Sequence, residues 1–549
     1  MLADVNAWLP SLGDLRLFAP ELVLVATIAA VLLVPLAAGR SPLLAGLIAM
    51  AGAVLALLAT GDGAPCVADG PQGAFAAPGQ AAALLADQFS VFLRLLIFAF
   101  LVLVIWLWLS GAAWRVTRPV RVGAIGGPEF FVLLLTSALG MVLMVGSLNL
   151  VVLLVAIETA SLPSYALVAS DRRSRMGAEA ALKYVTFGAA SAAIMVYGIS
   201  LLLGRFGTPD LGAIAAHLMA HPSAADTTFW IGLAAFAAGV LFKIAAVPMH
   251  LWCPDVFEGA PVEITTWLSV ASKAAGLGLL LRVVTVLGAT PLHVEVATPL
   301  AWAVGVLASL TCTVGNLAAL RQESVKRLLA YSSIAHAGYM MMAAAITRTP
   351  VAGAGGPGYA ALVAYLMVYV VMNLGAFGVT ALVVWQTGSD HLSAFTALGR
   401  RAPWLAVPMA IFLFSLVGLP PLGGFTAKWY LLVALGRGAA AQPWLWVLVG
   451  VAVVNTALSL YYYVRIIRQM FLVEDDALPP LPAPLGGVAL VNGCAVVVLL
   501  LGTLWFNSLG ERAAALSVRL LGPPAAPHGL VDPCRADVGG HATARMTGS

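Results

Sequence analysis

Apolar residues in this chain come in runs of about twenty, with short polar clusters between them. The runs lie near 18–38, 42–60, 89–110, 129–147, 149–169, 180–203 and 229–249. They continue near 262–287, 297–319, 325–346, 359–386, 405–435, 444–470 and 487–506. Apolar and polar positions do not alternate within them, as they would over about ten residues in a membrane barrel strand. About twenty helical residues cover ~30 Å, the thickness of a bilayer core. The pattern predicts an all-α polytopic membrane protein with about 14 transmembrane helices.

Composition agrees. Of 549 residues, 61% are hydrophobic and only 9% charged, which excludes a soluble globular chain. A net charge of +4 gives no nucleic-acid reading. Asp4 and Asp14 precede the first run, with Arg16 as the basic residue there, so that run reads as a retained helix rather than a signal peptide. Five scattered cysteines and eight unclustered histidines have no metal-ligand or redox spacing. No phosphate-binding or dinucleotide-binding motif occurs, so no cofactor is expected on this chain.

Basic residues fix an expected orientation. Arg40, Arg115, Arg118, Arg121, Arg172, Arg173, Arg175, Arg321, Lys326, Arg327, Arg400, Arg401, Arg465 and Arg468 fall in odd-numbered loops. Even-numbered loops hold Arg205, Arg348 and Arg437. The positive-inside rule then puts the odd loops in the cytoplasm and both termini outside. Loop seven, with Asp255 and Glu258, is the odd loop without positive charge. Something other than lipid charge must hold it.

Two runs share an interruption. Around 239–261 the chain reads GVLFKIAAVPMHLWCPDVFEGAP, and around 416–431 it reads LVGLPPLGGFTAKWYL. Each is an apolar helix broken at proline, with one lysine beside the break. Broken helices in repeated units are a transporter plan. The chain therefore divides into 1–128 (three helices with a flexible outward loop at 61–86), 129–287 and 297–470 (two five-helix units), 471–522 (connector and last helix) and 523–549 (a disordered tail).

Of the five lysines, Lys326 reads as a loop residue, whereas Lys183, Lys243, Lys273 and Lys428 fall within runs or at their start. Lysine can lose its proton when desolvated; arginine effectively cannot. Glu158, mid-run in LVVLLVAIETASLPSYALVA, is the acidic partner for Lys243. Together they read as a switchable ion pair or as a static buried salt bridge. Lys183 either takes part or snorkels to the interface. His250 either relays protons or caps freed carbonyls. His336 lies among Tyr331, Ser332, Ser333 and Tyr339, either on a proton path or in a helix contact. Glu263 reads as a helix-start residue, and Asp255 and Glu258 as turn-shaping or partner-facing ones.

At these residues the chain resembles subunit N of bacterial proton-pumping NADH–quinone oxidoreductase (respiratory complex I), in the antiporter-like subunit family. The resemblance rests on HLWCPDVFEGAP (His250–Pro261), SVASKAAG (Ser269–Gly276), KRLLAYSSIAHAGYM (Lys326–Met340), GLPPLGGFTAKWYL (Gly418–Leu431) and YYYVRIIRQMF (Tyr461–Phe471). It implies two inverted five-helix repeats, with the seventh and twelfth helices discontinuous. It implies proton transfer by Glu158, Lys183, Lys243, Lys273, His336 and Lys428, with His250 a weaker candidate. Partners would be other membrane subunits of one complex, including sister antiporter-like subunits, in the bacterial inner membrane. NADH, FMN, iron–sulfur clusters and quinone would belong to other subunits. Val262 and Glu263 depart from the family's Thr-Pro after EGAP. A subunit of a multisubunit sodium/proton antiporter and a structural membrane scaffold are the competing readings.

Overall fold

The computed structural model describes residues 11–39, 41–67, 71–76, 82–117, 126–288, 294–346, 357–475 and 478–518. Within them the chain is a packed array of helices, eleven of which are long and apolar enough to cross a membrane. Three of the predicted runs fall outside that set. Ala19–Ala38 contains Pro35, Val325–Ala344 is rich in polar residues, and the 405–435 run splits into Pro403–Val417 and Gly423–Ala439. The 229–249 run likewise ends its helix at Ile244, and the chain turns helical again over Trp252–Gly259. Two further helices of ten or more residues were not legible in the apolar pattern: Leu211–Ala220 and Phe506–Val518. The tail at 523–549 lies outside the described residues.

Part of the 61–86 stretch is described. Gln72–Ala74 pairs antiparallel with Leu84–Ala86, the exception to an otherwise helical fold among the described residues. The pair is tied down: Leu85 donates its N–H to the Gly146 carbonyl (2.6 Å), and Ser147 Oγ donates to that of Ala83 (2.9 Å). Phe75 donates its N–H to Asp14 (3.0 Å). Burial opposes ionisation of Asp14, but bonds from Ser11 and Phe75 outweigh it and hold the carboxyl below its usual range.

Helices in lipid gain little from apolar contact with one another, so close backbone approach decides which pairs form. Pro128–Val145 packs on Leu150–Val168, and Val294–Ala319 packs on Val325–Ala344. The two hairpins use the same contact. A Cβ on Gly140 would strike the backbone of Ala160, and one on Gly315 would strike that of Ala335. Both hairpins also start their second helix alike. Asn149 caps one and Ser324 the other, and each is bridged by a distant residue, Asp210 and His391 respectively.

The interrupted helices repeat as well. Thr227–Ile244 ends on Ala245 in the left-handed region (φ 59°), with Pro248 three residues on. Pro403–Val417 ends on Gly418 (φ 90°), with Pro421 three residues on. Glycine adopts this conformation at no steric cost, whereas alanine there costs about 1 kcal/mol. The internal echo in the sequence is thus a repeat of hairpin, cap and break.

Candidate functional site

Each interruption frees backbone carbonyls that need donors. At the first, Trp252 Nε1 donates to the Phe242 carbonyl (3.2 Å) and Ser272 Oγ to the Lys243 carbonyl (2.9 Å). The Lys243 side chain is left to other work. It is 1% exposed, and among the described residues no group accepts a hydrogen bond from its Nζ. Glu158 is half-buried on the Leu150–Val168 helix and is the charge acting on Lys243. Among the described residues their charged atoms are not within ion-pair distance.

Lys273, also 1% exposed, follows directly on Ser272 in the largely buried Val262–Gly288 segment. That segment widens into a π-helical turn at Leu268–Ser272, immediately before the lysine. Such turns loosen the backbone ladder locally and recur at functional sites. The Lys273 ammonium lies 4.0 Å from Cys253 Sγ and 5.2 Å from the Phe257 ring, both on Trp252–Gly259. Tyr369 OH donates to the Ser269 carbonyl (3.2 Å), tying the Pro357–Thr387 helix to the π turn.

The second interruption is satisfied differently. Lys428, on Gly423–Ala439, donates to the carbonyls of Val417 (2.8 Å) and Leu416 (3.2 Å). It therefore caps the C-terminus of the preceding half-helix, where a cation is favoured. Its ammonium also sits 4.7 Å from the Tyr339 ring. His336 is buried beside it among tyrosines. Nδ1 is 2.8 Å from Tyr365 OH and Nε2 3.5 Å from Tyr463 OH. Tyr463 OH is hydrogen-bonded in turn to Ser332. Tyr369 packs at a tilt against the imidazole, 5.5 Å between centroids, so one tyrosine touches both His336 and the π turn before Lys273. A second polar cluster was missed from sequence: Asn316 Nδ2 donates to Asn455 Oδ1 (3.1 Å), and Tyr462 OH to Asn316 Oδ1 (2.9 Å).

Two candidates lie apart from this row. Lys183 is 41% exposed and paired with Glu179 (2.8 Å) and Asp255 (2.9 Å). His250 is partly buried in the break. Loop seven is held by its neighbours' cations: Arg327 bridges Asp255 (2.6 Å) and Glu258 (2.7 Å), alongside Lys183. Burial works against the Asp255 carboxylate, but hydrogen bonds from Lys183 and Arg327 outweigh it and hold the carboxyl below its usual range.

Lys326 is not a loop residue. It is the second residue of Val325–Ala344, 8% exposed, and donates to the carbonyls of Glu258 and Ala260. Arginine is not confined to the surface either. Arg94 pairs with Glu21 (3.0 Å) and Arg282 with Asp87 (2.8 Å), all four side chains at most 5% exposed. Among the described residues no group of three His, Cys, Asp or Glu side chains is placed to hold a metal.

Residues 147–459 match the family model for the membrane region of NADH:quinone oxidoreductase and Mrp antiporter subunits. The chain belongs to this family. It is 40% identical over 515 residues to "NADH-quinone oxidoreductase subunit N 2" of Sorangium cellulosum, covering 90% of this chain and 96% of that one. Its fold matches a chain of respiratory complex I from Thermus thermophilus with a TM-score of 0.71 and 31% identity, over 90% of this chain and 99% of that one. A chain of the Mrp complex from Dietzia matches in fold, with a TM-score of 0.73 and 22% identity, over 92% of this chain and 98% of that one. Family identity makes this a non-catalytic subunit of a membrane translocase. Ionisable residues buried within membrane spans mark ion and proton pathways in membrane proteins.

Proposed function

We propose that this chain is a proton-translocating subunit of bacterial NADH–quinone oxidoreductase, coupling quinone reduction elsewhere in the complex to proton transfer through its own interior. In this reading it crosses the inner membrane 14 times, with both termini outside and the seventh and twelfth helices discontinuous. The two five-helix units run in inverted orientation. The supporting observation is one row of buried groups: Lys243 without a hydrogen-bond acceptor, Lys273 beside it, then Tyr369, His336 and Lys428.

Glu158 and Lys243 act as the switch. Two unit charges about 4 Å apart at an effective dielectric of about 20 attract by ~4 kcal/mol. Closing such a pair changes the lysine's proton affinity roughly a thousandfold. The closed pair holds a proton on Lys243; the open pair hands it on to Lys273. His336 exchanges its proton with the Tyr365 and Tyr463 hydroxyls, and Lys428 is the last lysine before exit. Lys183 sets the charge of loop seven and of the entry, and His250, in the break, is a weaker candidate for the same path. Sister antiporter-like subunits and the redox subunits are the partners. NADH, FMN, iron–sulfur clusters and quinone belong to the latter.

The sodium/proton antiporter reading shares the fold but is less supported, since identity is 40% to a subunit N and 22% to the Mrp chain. The test is proton uptake by inverted membrane vesicles driven by NADH, in sodium-free medium, normalised to assembled complex. Lys243→Arg keeps the charge and removes the ability to deprotonate. Assembly with strongly reduced pumping and slowed NADH oxidation is the expected result. Near-normal pumping with arginine would leave only a static ion pair.

A further inference from the structure

Asn316 lies outside the row used above. It is buried where Val294–Ala319 packs against Val325–Ala344 and Leu445–Phe471. It follows Gly315, whose close approach to Ala335 joins the hairpin. In the same hairpin a Cβ on Gly338, next to Tyr339, would strike the backbone of Cys312. These contacts fix the two backbones, so Asn316 meets Tyr339 from rigid elements. Its Nδ2 donates to the Tyr339 hydroxyl (3.4 Å).

Carbonyls set the direction of the amide, because they can only accept. Asn316 Nδ2 donates to the Cys312 carbonyl (3.0 Å) and to Asn455 Oδ1 (3.1 Å). Two N–H groups serve these and Tyr339, so one is shared. Asn455 Nδ2 faces the Val451 carbonyl (3.0 Å) and Thr313 Oγ1 (3.1 Å), which leaves its Oδ1 as the acceptor. Asn316 Oδ1 accepts from Tyr462 OH (2.9 Å). Asparagines that bond across spans are ordinarily helix glue. This one also holds two tyrosines that reach the row. The Tyr339 ring lies 4.7 Å from the Lys428 ammonium, within cation–π range, and packs edge to face with His336 at 5.8 Å. Tyr462 packs 4.4 Å from Tyr463, whose hydroxyl is 3.5 Å from His336 Nε2. Thr456, on Leu445–Phe471, is a second partner of the Tyr339 hydroxyl.

We propose that Asn316 is a positioning residue for Lys428: through the Tyr339 hydroxyl it keeps the ring face against the ammonium; this rests on the proton-transfer reading of Lys428. The ring is anchored at both ends, by its own helix and by its hydroxyl on the two neighbouring helices. A ring face attracts the ammonium and not the neutral amine, so the contact acts on the state that carries the proton. Asn316 itself carries none. With the tether cut, the ring can tilt away and Lys428 keeps the Val417 and Leu416 carbonyls as its remaining hold.

The test uses the whole complex in inverted vesicles driven by NADH, with Tyr339→Phe, Asn316→Leu, their double variant and Lys428→Ala assayed in parallel. Proton uptake is normalised to assembled complex, so a variant that only packs poorly loses complex but not uptake per complex. Phenylalanine keeps the ring and removes the tether. Uptake per complex should fall about fivefold with Tyr339→Phe, the scale of a partly lost cation–π contact. Asn316→Leu should lower it by no more than that, and the double variant should match Tyr339→Phe, since both changes cut one tether. Losses that multiply in the double variant would overturn the positioning role and leave Asn316 as helix glue. Wild-type uptake with Tyr339→Phe or with Asn316→Leu, while Lys428→Ala abolishes pumping, overturns it too and lets the wider reading stand. Should Asn316→Leu not assemble, Tyr339→Phe decides alone: wild-type uptake overturns the role, and the fivefold loss supports it. If Lys428→Ala itself pumps normally, the wider reading fails first.

Discussion

Lys428 donates to the carbonyl of Leu416, 3.2 Å away across the break in its own helix. Leu416 holds the place in the second unit that Lys243 holds in the first, two residues before the left-handed cap. One unit thus carries its lysine ahead of the break and the other after it. In the second unit the ammonium itself satisfies the freed carbonyls; in the first, neutral donors do so and the ammonium stands free of them.

Removing Lys428 should therefore damage structure as well as transfer. Lys428→Met leaves two buried carbonyls without their donor, a cost of about 1–3 kcal/mol each at most. Hydrogen exchange of the Gly418, Leu419 and Leu422 amides should accelerate. Lys428→Arg should restore slow exchange while pumping stays impaired. Equal exchange in Lys428→Met and wild type would show that the cap is not stabilising.

Asp255 gives a pH dependence with a definite sign. Its carboxyl is held below the usual carboxylate range, so it stabilises the fold fully at pH values above its unfolded pKa and loses that contribution as pH falls through the lower folded value. Thermal inactivation of wild type and Asp255→Asn should differ by a constant amount above about pH 5. The gap should close in stronger acid. A gap that widens on acidification would mean the carboxyl is not the stabilising form.

The Asp87–Arg282 pair offers a contrast between breaking and replacing. Asp87→Leu alone strands a buried guanidinium and should cost about 3–5 kcal/mol, read as less assembled complex in membranes. The double change Asp87→Leu with Arg282→Met should recover most of the loss. A double variant as poor as the single one would point to a role beyond packing.

Topology is open to direct labelling. Cys253, Cys312 and Cys494 are buried, so background is low once Cys66 and Cys534 are replaced. A membrane-impermeant maleimide applied to intact cells should modify a cysteine placed at Gln442 and spare one at Arg173. The reverse pattern would invert the assigned orientation.

Much of the fold was legible because the solvent imposes it: long apolar runs must be helices in lipid. Lysines within runs were conspicuous for the same reason. What escaped were pairings between distant segments. Lys326 stands beside charged neighbours in sequence and looks like a loop residue until Glu258 and Ala260 close over it. Arg94 and Arg282 lie near run ends, where a snorkelling arginine looks the same as a buried one. Tyr339 was visible beside His336, but the two tyrosines that hydrogen-bond it come from 29 and 127 residues away, with no local signal. The strand pair at 72–86 was hidden by Gly, Ala and Pro.

The repeated break has an evolutionary reading. Cap, proline and hairpin contact recur in both units, yet the ionisable residue does not keep its place among them. The interruption is then a socket that tolerates more than one plug. A lineage that duplicated such a unit was free to relocate the charge carrier by point substitution without rebuilding the backbone around it. Exchanging the two arrangements within this chain, lysine at 416 and an apolar residue at 428, would be a small mutational step. Descendants of one duplicated unit can in this way diverge in the ion they carry or the direction they favour while their backbones stay superimposable.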